Sequence, residues 1–199
     1  MAAIVHGCTD STAANYNPLA TNDNGLCIAS KHHNITGELV QELLVAGDNT
    51  RVSKISLTNI NFGGSTLVDL YIEKQLTGKF YLLKRVKLPV GATLFHDVIG
   101  FNNSFNEYGL YIKPTKSDVF TLTGSIDVTG TNTNVPGTNT LFLSELAVGD
   151  EITVTGETRT IATITSNTAA TVTAAWGSDL ADDTSPDCSP KSRVDVILS

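Results

Sequence analysis

The chain has 199 residues, 41% of them hydrophobic and only 17% charged, with a net charge of −7. That is enough for one large sandwich or two small domains, each burying its own core. The acidic balance lacks the basic stripe of a nucleic-acid binder, and no apolar run approaches the ~20 residues of a membrane-spanning helix, so neither nucleic acid nor membrane is expected as a partner.

The first segment, residues 1–31, is rich in Asn, Asp, Thr, Ala and Gly and carries no strand or helix period. It reads as an irregular arm. Met1 to Val5 lacks the charged and apolar regions of a secretory signal. Two of the three cysteines, Cys8 and Cys27, flank a polar loop here, and Cys188 lies near the C-terminus. A Cys8–Cys27 bridge would contribute ~3 kcal/mol in the chain-entropy model. A reducing compartment would oppose it until release, so a bridge and a pair of reduced thiols both stand open. Asp10, Asn15, Asn17 and Asp23 offer oxygens of the kind that ligate Ca²⁺. The competing reading is a loop whose Asx side chains bond its own backbone, because two carboxylates are few for a calcium site. No other cofactor is expected. His6, His32 and His33 match no zinc spacing.

The next segment, residues 32–123, alternates in strand fashion. Val52, Ile55, Leu57 and Ile60 mark one strand, and Asn61 to Gly64 a turn. Val68, Leu70 and Ile72 share a face of the next strand. A turn at Leu76 to Gly78 then leads into Phe80 to Val86, predicting a hairpin about Gly78. Lys84, Arg85 and Lys87 read as its polar side. Pro89 confines Leu88 to Gly91 to a turn or an edge. Thr93 to Val98, Tyr108 to Lys113 and Val119 to Thr123 complete the set. Short strands at regular spacing with polar turns predict an all-β antiparallel sandwich of jelly-roll type. Phe101, Phe105, Tyr108 and Tyr111 form the aromatic-richest stretch, either a patch that stacks on sugars or on a partner, or core packing.

Residues 124–191 are Thr-rich. Ser125 to Thr129 reads as a strand, Asn132 to Asn139 as a loop around Pro136 and Gly137, and Glu151 to Thr155 as a strand turning at Gly156 into Arg159 to Thr165. The three-residue step from Ile161 to Ile164 predicts a β-bulge. Ala170 to Ala175 follows, with Trp176 as a core plug, and Asp179 to Lys191 reads as an acidic return linker. The expectation is a small β-barrel or meander. The last strand, Arg193 to Leu198, needs a partner, and the sandwich is the simplest one. Residues 124–191 are therefore read as an insertion into a sandwich of residues 32–123 plus 192–199.

Arg51-Val-Ser-Lys-Ile-Ser-Leu57, Val68-Asp-Leu-Tyr-Ile72, Tyr81-Leu-Leu-Lys84 and Val194-Asp-Val-Ile-Leu198 together resemble small sandwich domains of tailed-phage virion proteins, many of them carried by marine cyanophages. Leu146 to Ile161 resembles a small β-module that recurs in phage tail-fibre and other structural proteins. Gly7-Cys-Thr-Asp, Asn15-Tyr-Asn-Pro18 and the closing Cys27 resemble a Cys-flanked repeat of surface and secreted proteins of marine bacteria and some of their phages. That last resemblance implies a surface location and a loop stapled by a disulfide or an ion.

Catalytic spacings are missing from the sequence. It holds no Gly-x-Ser-x-Gly elbow and no phosphate-cradling loop, and His96-Asp97 has no nucleophile marked beside it. The expectation is a non-enzymatic protein of the virion surface, assembled in the host cytoplasm. It would decorate or stabilise the capsid or neck through contacts with other virion subunits, as a homo-oligomer. Host adhesion through a tail or fibre, with a glycan as ligand, is the alternative. A small hydrolase is the remote one.

Overall fold

The computed structural model describes residues 4–9, 13, 16–25, 30–47, 50–74, 78–102 and 108–199, with backbone only at 98–100 and 102. It is all-β and antiparallel throughout its main sheets. Chain order runs β1 (His6–Gly7), β2 (Asn22–Asp23), β3 (Lys31–Thr36), β4 (Gln41–Leu44), β5 (Arg51–Asn59), β6 (Thr66–Lys74), β7 (Gly78–Leu88), β8 (Thr93–Asn102) and β9 (Gly109–Thr115). Then come β10 (Phe120–Thr121), β11 (Ser125–Val128), β12 (Asn134–Thr138), a single helical turn α1 (Phe142–Glu145), β13 (Glu151–Val154), β14 (Glu157–Ser166), β15 (Ala169–Val172), β16 (Leu180–Asp183), β17 (Asp187–Ser189) and β18 (Arg193–Leu198).

Two four-stranded sheets, β3-β18-β5-β8 and β4-β9-β6-β7, face each other. Counted within the sandwich, one sheet holds its first, eighth, third and sixth strands and the other its second, seventh, fourth and fifth. This is the strand order of a jelly roll, in which two Greek keys are wrapped together. Alternation sets the faces. Val68 and Leu70 on β6, Leu110 and Ile112 on β9, Ile55 and Leu57 on β5, and Val194, Val196 and Leu198 on β18 point inward and are nearly or fully buried. The predicted hairpin is present, with Lys74 opposite Gly78 and Ile72 opposite Phe80. The last strand pairs with both β3 and β5, as its isolation after residue 191 demanded.

Between the seventh and eighth sandwich strands the chain builds a second sheet, in the order β10-β17-β13-β14-β15-β12-β11-β16. Its core includes Ile126, Val135, Phe142, Ile152, Val154, Ile161, Val172, Trp176 and Cys188, which come from strands along almost its whole width. The sheet must therefore bend round that core, although no ladder joins β10 to β16. The predicted bulge lies between Ile161 and Thr163, and Trp176 is 1% exposed.

Several expectations are corrected. Residues 134–138 form a strand rather than a loop. Pro136 is tolerated there because β12 changes partner at that point, pairing with β15 up to Pro136 and with β11 from Gly137. The return linker contains two strands, β16 and β17. Phe120–Thr121 pairs with Cys188 and Asp187, so this short strand belongs to the second sheet and not to the sandwich. Strands β3 and β4 were not anticipated, since His32, His33 and Asn34 hide the alternation. The first segment holds a two-residue parallel pair, β1 with β2.

The junction between the two cores is polar. Asp150 is 1% exposed and accepts from the Ala147 N–H at 2.8 Å, the Lys191 N–H at 3.0 Å and the Arg193 guanidinium at 2.7 Å. Beside it, Asn59, Asn61, Thr66, Ser117 and Ser192 are buried and interlinked. The Asn61 amide donates to the Ser117 hydroxyl at 2.6 Å, and Ser192 Oγ donates to the Thr115 carbonyl at 2.6 Å. Buried polar groups of this kind are tolerated mainly when paired, and the residues where the insertion leaves and re-enters supply the partners for all but the side-chain oxygen of Asn61.

Candidate binding face

The outward side of the β4-β9-β6-β7 sheet collects most of the residues with chemistry to offer. Glu42 lies opposite Tyr111, Tyr111 opposite Tyr71, and Tyr71 opposite Tyr81. One row thus crosses all four strands. Tyr71 and Tyr111 stack at 5.7 Å between centroids, and Tyr71 meets Tyr81 at 5.5 Å in a tilted pair. Such contacts are worth ~0.5–1.5 kcal/mol each beyond area burial. Tyr71 points away from the core yet is 1% exposed, because its neighbours cover it; Tyr81 remains 45% exposed.

Charged residues stand on either side of the row. On one side Glu73 faces Gly109 and Lys79, and on the other Asp69 faces Lys113. Lys79 Nζ donates to the Tyr71 hydroxyl at 3.3 Å and sits 4.5 Å from the centre of that ring. Lys84 Nζ lies 3.9 Å from the Tyr81 ring centre and 2.9 Å from Asp69 Oδ2. Exposed cation–π contacts of this type are worth ~0.5–1 kcal/mol. Arg85 adopts φ +50°, and its N–H donates to Asp69 Oδ1 at 2.7 Å. Two register shifts between β6 and β7 place this bulged stretch on the sheet edge, where lysines and bulges discourage edge-to-edge pairing.

The electrostatics follow from these contacts. Partial burial pulls Asp69 upward, but the Lys84 ammonium and the Arg85 N–H outweigh it and hold its carboxyl below the usual range. The Tyr71 hydroxyl raises Lys79, and Asp69 raises Lys84, so both ammonium groups stay charged beyond the ordinary lysine range. Tyr111 Oη donates to Glu42 Oε1 at 2.8 Å, and this bond to a carboxylate, with burial second, pushes the phenol up to about 12.

The aromatic stretch chosen from the sequence does not form one patch. Phe101 packs against the sandwich core from β8 in the opposite sheet. Tyr108 meets Phe80 edge-on at 5.9 Å near the end of the sandwich. Only Tyr111 joins the tyrosine row, and Phe105 lies outside the described residues. Sequence reasoning missed Tyr71 and Tyr81 as a pair. The β6–β7 register sets Tyr71 opposite Tyr81 within one hairpin, so the signal was present, whereas Tyr111 required the sheet order.

In the N-terminal segment, Asn17 Oδ1 accepts from the Leu19 N–H and Asp23 Oδ1 from the Gly25 N–H, each at 3.0 Å. These are Asx turns, and they occupy the side-chain oxygen of Asn17 and one carboxylate oxygen of Asp23, two of the four expected calcium ligands. Asp10 and Asn15 lie outside the described residues, and among those described no group of three or more His, Cys, Asp or Glu side chains could hold a metal. Cys8 is buried and Cys188 is a buried free thiol, while Cys27 lies outside the described residues.

Comparison with known proteins returns no matching family, no matching curated protein and no matching solved structure.

Proposed function

We propose that this chain is a non-catalytic virion surface protein of a tailed phage, one that decorates or stabilises the capsid or neck. The observation that carries the reading is the jelly-roll strand order, with a second sheet inserted before the last strand. Jelly rolls serve in viral shells and in lectins, and the sequence resembles virion sandwich domains. The sandwich would contact other virion subunits, the inserted sheet would project from the junction, and the chain would act as a homo-oligomer. A Cys8–Cys27 bridge stapling the N-terminal segment is part of the proposal. Immunogold electron microscopy on purified particles tests it. Gold over the head or neck supports decoration. Particles left unlabelled by an antibody that binds the native protein would sink it.

A second reading, host adhesion through a glycan, is favoured by one observation. The tyrosine row and its flanking lysines lie on a solvent-facing sheet rather than in the core. Gold at the tail would support it.

A further inference from the structure

We infer that the outward face of the β4-β9-β6-β7 sheet binds an acidic polysaccharide, a sugar chain bearing uronate carboxylates. The inference rests on the adhesion reading and names its site and its ligand class.

Charge is segregated on this molecule. The four strands of the sheet carry Lys74, Lys79, Lys84, Arg85, Lys87 and Lys113 against Glu42, Asp69 and Glu73, in a chain whose net charge is −7. Six of the thirteen Lys and Arg residues of an acidic protein thus lie on one sheet, twice the number of carboxylates on the same strands, and a local potential of that sign draws anions to it. Lys113 and Arg85 are exposed, and neither side chain is in an ion pair among the described residues. Lys79 is only loosely held by Glu73, at 3.9 Å.

The arrangement selects among polyanions. Carboxylates of a uronate chain would pair with Lys79, Lys84, Lys113 and Arg85. Sugar hydroxyls lying between those charges would donate to Asp69, Glu73 and Glu42, which are interleaved with the cations. The exposed part of the Tyr81 ring would meet the C–H face of a pyranose. DNA fits less well, because it carries a charge on every nucleotide and has no sugar hydroxyl along its backbone to give to three carboxylates. Contacts at this exposure make the binding salt-sensitive.

Affinity electrophoresis of the full chain through gels containing alginate, a polyuronate, or dextran, a neutral glucan, tests the inference, with a single-stranded oligothymidylate as competitor. Retardation by alginate is expected, with about tenfold weaker binding for Lys79→Gln/Lys84→Gln and for Lys113→Glu. Lys113 makes no ion pair or side-chain hydrogen bond among the described residues, so the substitution removes none, and far-UV circular dichroism with thermal unfolding checks the fold of the variant. A Thr160→Ala control on the inserted sheet should bind as the parent does. Alginate binding that neither lysine variant weakens overturns the site, and displacement by oligothymidylate as readily as by free alginate overturns the ligand class. Dextran binding without alginate preference overturns the ligand class but leaves glycan adhesion standing. Failure to bind either polymer overturns both.

Discussion

Arg193 and Asp150 form the most buried charged link between the two cores: the guanidinium of the first residue of the last sandwich strand meets a carboxylate from the inserted unit at 2.7 Å, and the two side chains are 12% and 1% exposed. Arg193 also donates to the Lys191 and Val148 carbonyls, so a single side chain ties the turn before β13 to the point where the chain re-enters the sandwich. Asp150→Ala leaves that guanidinium and two backbone N–H groups without their acceptor. A loss of about 3–5 kcal/mol in urea unfolding is expected. Asp150→Asn, which keeps one of the two acceptor oxygens and so serves one of the two N–H groups, should lose less.

Cysteine labelling separates two questions. Burial, with the nearby Asp150 carboxylate second, pushes the Cys188 thiol far up, so it should resist alkylation in the native protein at pH 8.5. The chain has three cysteines. Denaturation without reductant should therefore expose one thiol if Cys8 and Cys27 are bridged, and three if they are not. Intact mass after iodoacetamide treatment reads the answer directly, and three adducts would remove the disulfide from the proposal.

The tyrosine row predicts pH dependence at both ends of the scale. Tyr111 holds its proton to about 12 when folded, against ~10 when unfolded. Between those values the unfolded chain has lost the proton that the folded chain keeps, so stability falls as pH rises through this window. Tyr111→Phe should flatten that slope and delete the late step of the phenolate absorbance titration. Asp69 has the opposite sign. Its carboxyl is held low, so it contributes above the ordinary aspartate range and the contribution is lost as pH falls through the folded value. Asp69→Asn should reduce the acid slope of stability.

Two glycines test backbone geometry. Gly156 has φ +87° with open space where a Cβ would stand, so Gly156→Ala should cost only the left-handed penalty of ~1–2 kcal/mol. Gly64 has φ +74°, and a Cβ there would collide with the Asp118 carbonyl oxygen. Its own carbonyl accepts from the Asn59 amide at 3.2 Å. Gly64→Ala must move the chain where the inserted segment leaves the sandwich, so its loss in thermal unfolding should clearly exceed that of Gly156→Ala.

Period-two alternation in Val52 to Leu57, Val68 to Ile72 and Val194 to Leu198 is a local property, and it sufficed to determine the all-β class, the hairpin about Gly78 and the need of the last strand for a partner. Trp176 as a core residue and the bulge after Ile161 were legible for the same reason, since each breaks or ends a pattern within a few residues. The strand at Pro136 was hidden because proline's missing N–H is harmless only where a strand changes neighbour, and the neighbours of β12 come from far along the chain. The same limit applied to the face. Tyr71 and Tyr81 follow from hairpin register, but Tyr111 stacks on Tyr71 from 40 positions away through the β6–β9 ladder, and Phe101, close to Tyr111 in sequence, was sent into the opposite sheet. Which side of a strand a residue occupies is written in the alternation; which strand lies beside it was decided by the closure of the jelly roll, where burial of both sheets' inner faces selects the order.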